Sequence, residues 1–568
     1  MTAIPPADAE PPLVLTIDVG TSSVRTMLFD ARGRPLEGVG ARETYTVDTD
    51  ASGAAEDDPD AALARVERCV DAALAQAGPL AEQIGAVAVD TLVSNLLGLD
   101  AGGRPITPLI TYADTRNDAD AAALRRELDE RAVHERTGCM LRTSYWPARL
   151  AWLRRTRPEV FRRAARWATL GEYLELRLFG RCRMSTSVAS WSGLLDRRRL
   201  VWDAPLLAAL GVPEERLSPL ADASEPLAGL LPEHAARWPA LRDVPWFPAI
   251  GDGAAANLGS GCAAPGRVAL TVGTTGALRT VLFDDQGPED RRHAVPARVP
   301  DGLWCYRVDR RRVLMGGATS EGGNVYAWMR RSLQLGAPEE VERAVAGLPP
   351  DGHGLTVLPF FAGERSPGWA GDAKATITGM TLGTTPLEIL RAALEAVAYR
   401  FALIAEGLIP SVADQRPATS DQLMPKDRSV SSQKSADIAT GERSSFVVRR
   451  SSDEERSSSL IHPSSATIVA SGGALLASPA WMQIIADVLG QPVVASAEAE
   501  ATSRGAALLA LEALGAIPSV ESVPAATGET YAPDEERHER YRAALERQRA
   551  LYRMLLGLNN TSMTARRF

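Results

Sequence analysis

A stretch near the start of the chain, LVLTIDVGTSSVRTMLFD from Leu13 to Asp30, recurs as LTVGTTGALRTVLFD from Leu270 to Asp284. Each copy reads as two strands joined by a small polar turn, a hairpin rather than the strand-to-helix turn of a P-loop. Gly20 falls on Gly273, Thr21 on Thr274, Ser22 on Thr275 and Arg25 on Arg279. A repeat spaced by about 250 residues is too long for a solenoid and points to two similar domains. Gly20 lets a ligand approach the backbone, and the residues after it offer N–H and hydroxyl donors suited to phosphate oxygens. Two such turns facing each other across a cleft would enclose the tail of a nucleotide. Asp18 ends the first strand, well placed to hold a hydrated divalent cation. The second copy has no partner for it, so only the first half is expected to anchor a metal.

At 568 residues the chain is too long for one core. A net charge of -9 argues against a general nucleic-acid binder, which needs a basic surface. Cys69, Cys139, Cys182, Cys262 and Cys305 are far apart and form no CxxC pair, and the six histidines are equally scattered. Neither a disulfide framework nor a zinc site is indicated, and a reducing compartment is expected. The start, MTAIPPADAEPP, does not resemble a signal peptide, and no apolar run approaches the roughly 20 residues that span a bilayer. The expectation is a cytoplasmic protein with neither membrane nor nucleic acid as partner.

Residues 1–12 form a Pro/Ala/acidic leader expected to be disordered. A helical pattern over Asp60–Ala75, a buried-strand run Gly85–Val89 ending in Asp90 and Thr91, and strand candidates at Leu96–Leu99 and Ile106–Tyr112 suggest an α/β domain with a mixed sheet. Asp114 and Arg116 follow the last of these, either as a surface salt bridge or as a carboxylate and guanidinium in a polar pocket. Residues 121–179 read as largely helical, interrupted by TGCMLRTSY, which supplies Arg142. Met184–Ser192, MSTSVASWS, reads as a hydroxyl-rich loop. In Ile250–Cys262, IGDGAAANLGSGC, a carboxylate lies between two glycines and precedes a small-residue helix able to pack closely. Asp252 is either a helix cap, worth about 1 kcal/mol, or a base facing the cleft. The adjacent second hairpin favours the base.

Met315–Gly323, MGGATSEGG, reads as a flexible loop, and Thr356–Phe361 as a strand leading into AGERSPGWA. Pro386 opens a strong helix with apolar residues at 387, 390, 394, 397, 401, 404 and 408. Residues 411–465 contain 15 Ser and 16 charged residues, too little apolar surface to offset their ordering entropy, so a disordered insertion is expected. In SGGALLASPAW, Gly472 and Gly473 leave room for a flat or phosphorylated ligand beside a helix start, although a simple turn between strand and helix would use the same residues. Asp534–Leu556 reads as a charged amphipathic helix.

The segments DVGTSSVR, ADTR, GDGAAANLGSG, GERSPGW and SGGALLASPAW stand in the order found in the FGGY carbohydrate kinases, and the chain resembles that family over about residues 13–409 and 466–545. TGC, SYWPARL and ATITGMTLGTT are similar to gluconate-kinase-like members. The resemblance implies an α/β fold of two ribonuclease-H-like, actin-like ATPase domains around a central cleft. Residues 13–262 would bind sugar, and residues 263–545, interrupted by the insertion, would bind nucleotide; the helix end and tail, 546–568, lie beyond. It implies ATP and Mg²⁺ as cofactors and a small-molecule carbohydrate as acceptor. Gluconate is the best match, with xylulose, ribulose, glycerol or another polyol as alternatives and a sugar- or nucleotide-binding sensor as the reading outside enzymes. A homodimer is common among similar kinases. Asp252 falls on the family's general base and Asp18 on its magnesium-associated aspartate. Gly20, Thr21 and Ser22 match the first phosphate loop, Gly273, Thr274 and Thr275 the second, and Gly472 and Gly473 the adenosine segment. Asp114 and Arg116 match a region near the substrate, with Ser94 and Arg142 as further substrate candidates. Ser94 is also a departure, because many sugar kinases carry His at that place, so the substrate is expected to be altered or differently oriented.

Overall fold

The computed structural model of the chain describes residues 3–264, 266–284, 295–296, 298–408 and 466–557. The expected insertion at 411–465 and the tail after 557 lie outside the described residues. The first sheet has five strands in the order Ile250–Gly251, Ile84–Thr91, Leu13–Val19, Ser23–Phe29 and Pro35–Thr44. Its centre is the first hairpin, with Asp18 opposite Arg25 and Val19 opposite Val24. Ile84–Thr91 pairs parallel to Leu13–Val19, and Ile250–Gly251 pairs parallel beyond it. Strands covered on both faces read as near-continuous apolar runs, and Leu13–Val19 is buried at every position.

The second sheet has seven strands built on the same plan. Arg267–Val272 and Gly276–Phe283 form its central hairpin. Thr467–Ser471 and then Val493–Ser496 join parallel on one side, and Arg312–Thr319 joins antiparallel on the other. Trp304–Arg307 and Thr527–Tyr531 complete the edges. The two halves therefore share strand order and direction as well as the turn that the repeat predicts.

Helix Pro59–Ala77 covers the first sheet. It starts where the Asp58 carboxylate accepts the N–H groups of Asp60 and Ala61, with Pro59 at the first helical position, and it buries Ala62, Val66, Val70 and Ala73. In the second domain Pro386–Leu408 is buried along almost its whole length, not on one face alone, because it lies between the sheet and helix Pro479–Leu489. Between the domains lies a third layer, in which helix Asp252–Gly259 crosses helix Ala501–Ala513. A Cβ on Gly259 would sit 1.8 Å from the Ala501 carbonyl oxygen, and one on Gly505 would sit 1.9 Å from that of Ala255. The small residues of the first helix do permit close packing. The second helix belongs by sequence to the second half, yet it packs on Leu13–Val19 and Ile84–Thr91. Arg504 fastens it there by donating to the carbonyls of Gly33 and Gly259 at 3.2 and 2.6 Å.

Three local expectations need correction. The leader is docked over its described residues: the Ile4 N–H donates to the Pro35 carbonyl and the Glu37 N–H to the Ile4 carbonyl, 2.9 and 2.8 Å away. The open edge of the Pro35–Thr44 strand supplies the partners that a free leader would lack. Met184–Ser192 is no loop, since Thr186–Ser192 is a buried helix capped by the Ser185 hydroxyl. Its serine hydroxyls are spent on neighbours, Ser187 accepting the Gly251 N–H at 3.2 Å. Met315–Thr319 continues the Arg312–Thr319 strand, where pairing on both sides overrides the glycines.

Candidate active site

A cavity of about 320 Å³ opens between the domains, and both hairpin turns reach it through Thr21 and Thr275. Each turn is closed by its glycine, the Gly20 N–H donating to the Ser23 carbonyl and the Gly273 N–H to the Thr275 carbonyl, each at 3.0 Å, with the second turn one residue tighter. Among the described residues the backbone N–H groups of Thr21, Ser22, Thr274 and Thr275 have no hydrogen-bond acceptor. Successive unpaired N–H groups of this kind make anion-binding concavities. The carbonyls of the second turn are used internally, Gly273 and Thr274 accepting the N–H groups of Gly323 and Asn324 at 2.8 and 3.1 Å.

Gly472 lies against the same turn. Its φ of +94° and the 2.4 Å that would separate a Cβ from the Val272 carbonyl oxygen both require glycine. The space beside Gly473 is open, so a ligand can approach its backbone.

Asp252 and Gly253 line the cavity at the first turn of helix Asp252–Gly259. Gly251 is the cap residue, and one Asp252 oxygen accepts the Gly253 N–H at 2.7 Å, so Asp252 serves the helix start and faces the cleft at once. Burial pushes its carboxyl up to about 6, with the Asp18 charge adding to the rise and the Gly253 N–H and Arg279 opposing it. The ordinary carboxylate value is therefore not retained, but the group is still ionised at neutral pH.

Asp18 ends Leu13–Val19 and stands in register with Asp90 at the end of the parallel neighbour Ile84–Thr91. Asp90 was not singled out by sequence reasoning, although a buried apolar run ending in a carboxylate is the same signal that drew attention to Asp18. Burial raises the Asp18 carboxyl despite the guanidinium of Arg25, 2.7 Å away. Burial, with the charges of Asp18 and Asp252, holds Asp90 well above the carboxylate range. The second-domain position matching Asp18 is Thr271, which carries no charge, as expected.

Two arginines on the repeated hairpins tie this ground together. Arg25 bridges Asp18 to Glu500, 2.8 Å away and just before the helix that crosses the domain boundary. Arg279 donates to the Gly253 carbonyl at 3.0 Å and to the Thr271 hydroxyl at 2.9 Å. The repeat aligns the two arginines, but their registers differ. Arg25 faces Asp18 on its partner strand, whereas Arg279 faces Ala269.

Part of the remaining wall is aromatic, brought together from a helix and a strand far apart in the sequence. Trp191 stacks on Tyr306 with ring centroids 3.7 Å apart, Trp304 stacks on Tyr306 at 4.5 Å, and the two tryptophans are themselves in contact at 5.6 Å. Ser94 is in the wall with a left-handed φ of +56°, a conformation uncommon for non-glycine residues. Its hydroxyl donates to the Trp191 carbonyl at 2.6 Å, and Arg149 donates to its carbonyl. Arg365, from the GERSPGW loop, also lines the cavity, and its guanidinium makes no hydrogen bond or ion pair among the described residues.

Other expected substrate residues lie elsewhere. Arg116 pairs with Asp114 and Glu56 and stacks over Trp152, while Asp114 accepts the Ala55 N–H at 3.1 Å. The Nε and one Nη of Arg116 are taken up by carboxylates of the first domain, and neither residue reaches the cavity wall. Arg142 is likewise held by Glu130 and by the face of Trp369, outside the cavity.

A cleft that presents two sets of anion-binding turns beside an ionised carboxylate is suited to moving a phosphoryl group. Models of the N-terminal and C-terminal domains of the FGGY family of carbohydrate kinases match residues 13–259 and 268–514. The chain belongs to this family: it is an ATP-using phosphotransferase with a carbohydrate alcohol group as acceptor. It is similar to the gluconokinase of Bacillus subtilis, 26% identical over 547 residues that span 94% of each chain. It is also similar to the glycerol kinase of Allorhizobium ampelinum, 31% identical over 402 residues, 68% of this chain and 77% of that one. Among solved structures, gluconate kinase from Lactobacillus acidophilus shares the fold with a TM-score of 0.78 over 96% of this chain and 98% of that one, at 22% identity. No helix among the described residues is long and apolar enough to cross a membrane.

Proposed function

We propose that the protein transfers the γ-phosphoryl group of ATP to a hydroxyl of an open-chain sugar acid, with gluconate the favoured acceptor. The observation that carries this reading is Asp252, an ionised carboxylate in the wall of the cavity that Thr21 and Thr275 both reach. The Asp252 carboxylate takes the proton of the acceptor hydroxyl while the hydroxyl oxygen bonds to the γ-phosphorus. The bond from that phosphorus to the β–γ bridging oxygen breaks, and ADP leaves with the electron pair. Unpaired N–H groups of the two turns hold phosphate oxygens, so most of the catalysis is positioning and electrostatics. The oxygen donors of Asp18 suit a hard cation such as Mg²⁺, which would supply charge neutralisation at the β- and γ-phosphates. Gly472 and Gly473, beside the second turn, offer backbone to the adenosine end.

Arg365 supports an acidic acceptor over a neutral polyol, since an unpaired guanidinium in the acceptor cavity matches a carboxylate. The similarity to gluconokinases supports the same choice. All five cysteines are buried free thiols, which suits a reducing, cytoplasmic setting. The test is ADP release by the purified protein with Mg·ATP and gluconate, xylulose, ribulose or glycerol. Stimulation by gluconate above the others supports the proposal; stimulation by a neutral sugar alone overturns the acid preference, and none with any carbohydrate overturns the reading.

A further inference from the structure

The carboxylates of Asp18 and Asp90 meet at the ends of adjacent parallel strands, and among the described residues no arginine, lysine or histidine donates to Asp90. Asp90 is fully buried, and among the described residues neither of its oxygens has a hydrogen-bond partner. Arg25 serves Asp18 and Glu500, and Arg279 serves Gly253 and Thr271, so neither guanidinium is spent on Asp90. On its other side Asp90 is in register with Ile250, two residues before a third carboxylate, Asp252.

The second domain shows what the same place looks like without that charge. Thr271 corresponds to Asp18, and its register partner Ser471 corresponds to Asp90. Their hydroxyls hydrogen-bond at 3.0 Å. Two hydroxyls satisfy each other because each can donate and accept, whereas two carboxylates can do so only by sharing a proton, whose place a bound cation can take. Buried charge is retained where it is paired or coordinates a metal. Small hard cations are held by one or two carboxylates, with water and substrate phosphate completing the shell.

We propose that Asp18 and Asp90 together form a two-carboxylate seat for the divalent cation that accompanies the nucleotide. Asp90 is then a cation ligand of the first domain alone, and the neutral Thr271–Ser471 pair explains why the second domain has no such seat. The inference rests on the kinase reading for the nucleotide, not for the cation.

The test is a Mn²⁺ titration of the full chain loaded with a non-hydrolysable ATP analogue, followed by the loss of the free-ion electron paramagnetic resonance signal. Asp90→Asn keeps the shape of the side chain and removes the charge. It should weaken Mn²⁺ binding by roughly 10-fold or more and abolish the rise in melting temperature that Mg²⁺ and the analogue produce in the wild type. Should this variant fail to fold by circular dichroism, Asp90→Ser, which copies Ser471, carries the same test. Wild-type Mn²⁺ affinity in a folded Asp90 variant overturns the seat, even if the wild type phosphorylates gluconate. Weakened Mn²⁺ binding supports the seat even if the wild type uses no carbohydrate, an outcome that would count against the kinase reading alone.

Discussion

Arg279 donates to the Gly253 carbonyl at 3.0 Å, tying the hairpin of the second domain to the helical turn that carries Asp252. The same guanidinium lowers the Asp252 carboxyl against the burial that raises it. Position and charge of the proposed base therefore depend on one residue of the opposite domain. Arg279→Gln should lower kcat and move the acid limb of kcat/KM for gluconate to higher pH, because the cation that favours the carboxylate is gone. An acid limb at the wild-type pH would show that Arg279 does not act on Asp252.

The wild-type profile carries its own expectation. A base must be deprotonated to act, and burial places Asp252 at about 6. With saturating Mg·ATP, kcat/KM for the acceptor should be level near neutrality and fall about tenfold per pH unit below the limb. Asp18→Asn removes a negative neighbour that raises the Asp252 value, so its limb should move to lower pH, opposite to Arg279→Gln. A wild-type limb near 4 would place the base in an exposed setting, contrary to this site.

Arg365 gives a test of acceptor charge. Losing a charge-assisted contact to a carboxylate costs about 1.5–3 kcal/mol, so Arg365→Gln should raise KM for gluconate by roughly 10-fold or more and leave KM for ATP near its wild-type value. A raised KM for ATP with unchanged KM for gluconate would assign the guanidinium to the nucleotide instead.

The helix crossing between the domains should tolerate no added methyl. In Gly505→Ala the new Cβ would have to clear the Ala255 carbonyl oxygen, 1.9 Å from its ideal position. Overpacking of this kind costs typically 1–3 kcal/mol, so thermal unfolding should begin at lower temperature. An unchanged melting temperature would mean that the crossing yields freely.

The parts of this site that were legible in the sequence are those written in contiguous residues. The hairpins were readable because apolar runs flank a short polar turn, and their recurrence pointed to the two-domain fold. Asp252 stood out between two glycines. What stayed hidden depends on register and on distant loops. Asp90 becomes remarkable only when Ile84–Thr91 is set parallel to Leu13–Val19, a pairing that needs a crossover through helix Pro59–Ala77. Trp191, Trp304 and Tyr306 meet from opposite domains, and no sequence window contains all three. Asp114 and Arg116 were open to two readings, a salt bridge or a polar pocket, and the structure shows the salt bridge, with Glu56, 58 residues upstream of Asp114, adding a second carboxylate.

The central claim is that Asp252 takes the acceptor proton between two phosphate-holding turns. It is tested most directly by acceptor-dependent ADP release in Asp252→Asn, measured beside the affinity for an ATP analogue. The account expects the rate to fall by at least ~100-fold with nucleotide affinity nearly intact. A variant that turns over the acceptor at the wild-type rate would contradict it.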